Sequence, residues 1–181
     1  KYQIFVLMNG YGPTMLPGLS GVANEPAWSP DGTKLAFAMM ESGTDVMEIY
    51  IANPDGSDLH KVMPLQPRLN WRPTWSPDGQ SILFQSNRDG NFEIYQVSID
   101  GEGLTNLTNN PANDGDAEWS PDGKTILFVS DRDGLDSLFT MNPDGSNIKR
   151  LLNEDWWCST PHWAPDGQQI VFSSNRDGDH E

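Results

Sequence analysis

Apolar residues along the chain fall in short runs of five to seven, set between polar turns, and no segment has the length and capped 3.6-residue period of a long helix. The stretch 118–152 shows the rule. Residues 118–120 read as extended, Pro121-Asp122-Gly123 as a turn, and 125–130, with Ile126, Leu127, Phe128 and Val129, as a strand. A polar loop follows at 131–134, then a strand at 137–141, a turn at 142–145 and a last strand at 147–152. This predicts a four-stranded antiparallel meander. Proline fixes φ in each turn, aspartate can accept from N–H groups downstream of it, and glycine takes φ > 0 without steric cost.

The same pattern recurs along the whole chain. Trp-Ser-Pro-Asp-Gly stands at 28–32, 75–79 and 119–123, and Trp-Ala-Pro-Asp-Gly at 163–167, at intervals of 47, 44 and 44 residues. Counting from Trp163 through the C-terminus and on from the N-terminus to Trp28 gives 46, a fourth nearly equal interval. Joined tail to head, Asn175-Arg176-Asp177-Gly178 followed by Ile4-Phe5 reads like 87–97 in the second unit. One sheet of this size cannot bury both faces alone, so neighbours must cover each other. The expected fold is therefore all-β: a four-bladed β-propeller of four-stranded antiparallel blades, closed by N- and C-terminal strands sharing one blade. Residues 1–181 would form a single domain with blades at 27–61, 74–107, 118–152 and 162–181 plus 1–17. Trp28, Trp75, Trp119 and Trp163 are the predicted wedges between blades. Phe37, Phe84, Phe128 and Phe172, facing Tyr50, Tyr95, Phe139 and Phe5, are the predicted core of each. Closure would hide sheet edges, and the same complementary halves would serve either a monomer or a dimeric eight-bladed ring.

Charge narrows the function. Eleven basic against 26 acidic residues give a formal net charge of −15, which repels a phosphate backbone and argues against nucleic-acid binding. The single cysteine, Cys158, excludes an internal disulfide and a cysteine-rich zinc site. No apolar run is long enough for a transmembrane segment, and none of these residues reads as a signal peptide, as is also expected of a processed or trimmed N-terminus.

The repeat resembles the TolB-like, WD40-like (PD40) β-propeller repeat family. The resemblance rests on Pro26-Ala27-Trp28, Pro73-Thr74-Trp75 and Pro161-His162-Trp163, on the Ser-Asn/Asp-Arg-Asp-Gly loops at 86–90, 130–134 and 174–178, and on Leu107-Thr108. Residues 40–44 replace the Arg-Asp-Gly loop in the first unit, and Leu151-Leu152 replaces Leu-Thr. The resemblance implies a propeller in the periplasm or secreted, working as a binding module. Proteins with similar repeats also include uronate-polymer lyases and propellers that gate a hydrolase domain.

In such a fold the blade-linking segments and the loops between second and third strands share one face, and these are the variable ones here. Residues just before each inner strand differ where the framework does not. Glu25, Trp71, Arg72, Asp116, Glu118, Trp157 and His162 are the candidate ligand-binding residues, placed around an axial mouth. A flat aromatic beside Arg or Asp suits a protein or peptide partner, or carbohydrate; the alternative for Trp71 and Trp157 is that they fill gaps between blades. Arg88, Arg132 and Arg176, each flanked by aspartate, read first as local Arg-Asp staples. Asp114 with Asp116, or Asp131 with Asp133, would suit a hard cation such as Ca²⁺, although no stretch follows the calcium-loop spacing, and no other cofactor is indicated. There is no Gly-x-Ser-x-Gly elbow, and His60, His162 and His180 fall at different repeat positions. The expected function is a non-enzymatic binding or protein-interaction module. The alternatives are a small carbohydrate-active lyase or hydrolase, acting through a carboxylate pair, or a ligand-free repeat scaffold.

Overall fold

The computed structural model describes residues 2–7, 11–64, 69–153 and 156–176. It is all-β, with the turn chemistry setting the strand ends. At the first Pro-Asp-Gly, Ser29 Oγ donates to Asp31 Oδ1 at 2.7 Å, the Thr33 amide donates to the same oxygen at 3.0 Å, and Gly32 sits at φ 70°. The turns at Asp78 and Asp122 repeat this arrangement, with Ser76 and Ser120 as the hydroxyl donors. These bonds hold the carboxylates below their ordinary range, Asp31 at about 2, with the serine hydroxyl as the leading cause.

Three sheets are complete meanders. The first is β3 (Gly21–Trp28), β4 (Leu35–Glu41), β5 (Met47–Ala52) and β6 (His60–Lys61). The second is β7 (Asn70–Trp75), β8 (Ser81–Ser86), β9 (Glu93–Ser98) and β10 (Thr105–Asn106). The third is β11 (Asp114–Trp119), β12 (Ile126–Ser130), β13 (Ser137–Met141) and β14 (Lys149–Arg150). The predicted aromatic pairs are in register: Phe37 opposite Tyr50, Phe84 opposite Tyr95 and Phe128 opposite Phe139, with ring centroids 6.0, 5.8 and 5.7 Å apart.

The expected closure does not occur. β1 (Phe5–Val6) and β2 (Thr14–Met15) form one two-stranded sheet, and β15 (Cys158–Trp163) and β16 (Ile170–Ser174) another. No sheet joins the two hairpins, and no contact links them among the described strands. The first hairpin leans instead on the first full sheet, where the Ala23 amide donates to Tyr2 O at 3.1 Å and Ile4 and Leu16 pack with Leu35 and Phe37. The second leans on the third sheet, where Cys158 packs with Val129 and Leu138. The fold is thus an open row of blades, not a closed four-bladed ring. The fourth expected aromatic pair, Phe5 opposite Phe172, is not made: Phe5 is 59% exposed on the first hairpin, and Phe172 packs on the cluster of Val129, Leu138 and Cys158. Asn9-Gly10 and residues 177–181 of the expected junction lie outside the described residues.

The tryptophan wedges register the same outcome. Trp75 is only 8% exposed and its indole N–H donates to Ala27 O of the preceding sheet at 3.1 Å, whereas Trp28, with no inner strand before it, is 51% exposed. The staple expected at Arg132 is replaced by a longer-range pair. Arg132 turns inward to pair with buried Asp114 at 3.0 Å, its guanidinium 5.2 and 5.1 Å from the Phe128 and Phe139 ring centroids, and flanking Asp133 faces Arg150 at 3.8 Å. Arg88 sits likewise over Phe84 and Tyr95 and donates to Asn70 Oδ1 at 3.1 Å.

Candidate functional site

Every innermost strand carries a break in register at the same place: between Asn24 and Ala27, Trp71 and Thr74, Gly115 and Glu118, and Ser159 and His162. Such bulges re-aim side chains out of the pleat. The residue that absorbs each bulge is Glu25, Arg72, Asp116 or Thr160, and all four lie in the left-handed region, at φ 53°, 52°, 50° and 47°. None is glycine, so each carries a backbone cost of about 1–3 kcal/mol that its surroundings must offset.

The offset comes from the neighbouring blade. Glu25 Oε2 accepts from the Arg72 amide at 2.7 Å, and Glu25 Oε1 lies 3.8 Å from Arg72 Nε. Arg72 Nη1 pairs with Asp116 Oδ1, and Asp116 Oδ2 accepts from the Thr160 amide at 3.2 Å. Four equivalent positions are thereby linked in series across three blade joints. One step along each strand, Glu118 Oε2 accepts from the Trp163 amide at 3.1 Å and lies 3.4 Å from His162 Nδ1.

Two cavities open on either side of this chain of contacts and share Glu25, Arg72 and Asp116 as a common wall. One of them, about 300 Å³, is also lined by Pro26, Pro73, Ala117, Glu118, Pro161 and His162. The other, about 390 Å³, lies between the second and third sheets and adds Trp71, Gln85, Phe92, Asn113 and Asp136. Close approach there depends on Gly115, because a Cβ at that position would stand 2.5 Å from Gln85 Oε1.

Of the seven sequence-derived candidates, Glu25, Arg72 and Asp116 line both cavities, Trp71 lines only the interblade one, and Glu118 and His162 line only the other. Trp157 stands one residue away, its indole N–H donating to Asp136 Oδ2 at 2.8 Å. Gln85, Phe92, Asn113 and Asp136 were missed. A signal existed for two of them: Phe92 and Asp136 hold the same place in the loops between second and third strands, and their carbonyls accept from the Asp114 and Cys158 amides at 2.8 Å. The carboxylates considered for Ca²⁺ have protein donors. Asp114 accepts from Arg132 and Asn110, and Asp131 from Asn113, and among the described residues no group of three or more His, Cys, Asp or Glu is placed to hold a metal ion.

Among the described residues no helix is long and apolar enough to cross a membrane. The curated relatives include the Tol-Pal system protein TolB of Bordetella pertussis, 35% identical over an alignment covering 42% of this chain and 27% of the relative. Solved structures of similar shape include a putative TolB from Agrobacterium tumefaciens, with 30% identity and a TM-score of 0.79, covering 90% of this chain and 58% of that one. TolB from Acinetobacter baumannii gives 26% identity and a TM-score of 0.78, covering 94% and 42%. An oligogalacturonate lyase in complex with manganese, at 21% identity and a TM-score of 0.69 over 93% and 49%, shares the fold alone. The chain spans about a quarter of the curated relative and roughly half of the two TolB structures. Kinship with the Tol-Pal proteins supports a periplasmic or secreted location. Residues 12–106 and 67–181 both match the family model PD40, the TolB beta propeller domain, and the chain belongs to that family.

Proposed function

We propose that the chain is a non-enzymatic binding module that takes a peptide segment of a partner protein at the mouth formed by Glu25, Trp71, Arg72, Asp116, Glu118 and His162, with Trp157 at its margin. The observation that carries this reading is the shared wall. Two cavities of side-chain size meet along residues that the repeat does not prescribe, on backbone held in a costly conformation. Strain concentrated beside concave surface is a mark of a working site. The opposite face carries the repeated Pro-Asp-Gly turns, whose side chains are spent on their own backbone. Descent from the family of the Tol-Pal system proteins supports a protein partner.

A displayed random-peptide library panned against the 181-residue chain tests this. Selected peptides should lose at least about tenfold in affinity to the Arg72→Met and Glu25→Gln variants, and nothing to Lys124→Ala on the turn face. A library that yields no binder, or peptides that bind all the variants alike, would refute it.

A further inference from the structure

The cavity between the second and third sheets has a composition that the other cavity lacks. Trp71 and Phe92 give it aromatic wall, Gln85 and Asn113 give it amides, and Asp116 and Asp136 bring carboxylates. Among its mouth-side charges, Glu25, Asp116 and Asp136 set three carboxylates against the single guanidinium of Arg72, and Arg72 is already engaged by two of them. Asp114, on the inner wall, is matched by Arg132 behind it. Asp136 has one oxygen committed to the Trp157 indole, and its other oxygen accepts from no described residue.

An aromatic face beside an under-used carboxylate, in a cavity of about 390 Å³ with surplus negative charge, is complementary to a planar cation. We infer that this cavity is a specificity subsite for an arginine side chain of the bound peptide, with the guanidinium against the Trp71 and Phe92 walls and paired with Asp136. The inference rests on the peptide-binding reading above and gives it a sequence preference. Gly115 is a positioning residue for the subsite, since its missing side chain lets Gln85 reach the wall.

The probes are acetyl-arginine methylamide and its neutral isostere acetyl-citrulline methylamide, titrated into the whole chain while the indole N–H resonances of Trp71 and Trp157 are followed by NMR. The arginine probe should shift both resonances to saturation, and citrulline should bind at least about tenfold more weakly. Asp136→Asn, which keeps an acceptor for Trp157, should weaken the arginine probe by about fivefold or more, and Lys124→Ala on the turn face should leave it unchanged. Equal binding of the two probes, an unaffected Asp136→Asn variant, or no saturation below about 50 mM would overturn the subsite. Library peptides that bind at the mouth while the arginine probe fails would remove the subsite and leave the binding module standing. The reverse pattern would remove the peptide-binding reading alone.

Discussion

Replacing Arg132 by Met should be among the most damaging single changes outside the hydrophobic core. The Arg132 guanidinium lies 3.0 Å from Asp114 Oδ1 and over two aromatic rings, and Asp114 is 1% exposed. Met fills the stem of the side chain but leaves a buried carboxylate that, among the described residues, keeps only Asn110 as a side-chain donor. Removing one partner of a buried ion pair costs about 3–5 kcal/mol, mostly the penalty of the stranded charge. Removing the stranded charge itself, with Asp114→Asn in the Arg132→Met background, should recover about 2 kcal/mol. Urea unfolding followed by tryptophan fluorescence at neutral pH measures all three proteins. If Arg132→Met costs less than about 1 kcal/mol, or the second change recovers nothing, the stranded-charge argument is wrong.

Acid should destabilise the fold. The turn carboxylates Asp31, Asp78 and Asp122 sit below their unfolded values near 4, so between those values and their folded ones the unfolded chain binds more protons. Stability present above about pH 4 should therefore fall toward about pH 2, and an equal melting temperature at pH 7 and pH 3 would contradict this. Gly21→Ala and Gly115→Ala should differ sharply. A Cβ at Gly21 runs into the backbone carbonyl of Met40, costing upward of about 3 kcal/mol, whereas one at Gly115 meets the movable end of Gln85 and costs about 1 kcal/mol, both readable by thermal melts. Cys158 is fully buried, and burial pushes its thiol up, so an aromatic disulfide reagent should leave it intact in the native protein and label it fully in urea; rapid native labelling would count against the packing of β15 on the third sheet.

The repeated elements were legible in the sequence for local reasons. Pro-Asp-Gly specifies its turn through its own side chain, and Phe84 opposite Tyr95 follows from strand period and turn position. Closure was not legible. Complementary halves say which strands resemble a blade when joined, but whether they meet depends on the angle added at every sheet-to-sheet interface, and that angle is set by packing around residues such as Trp75 and Ile82. The mouth was half legible. Glu25, Arg72 and Asp116 stood out because they vary at a fixed repeat position. The left-handed bulge that turns them toward one another had no sequence mark, since the four sites hold no glycine. Phe92 and Asp136 reach the second cavity through the interblade bonds of their carbonyls, a relation that the side chains do not encode.

The serial linkage of Glu25, Arg72, Asp116 and Thr160 has a mechanical corollary. Each carboxylate grips the main chain or guanidinium of the next sheet, so a guest that pulls Arg72 away from Asp116 loosens two hinges at once. Occupancy at one rim position is then felt as slack or tension between sheets that the guest never touches.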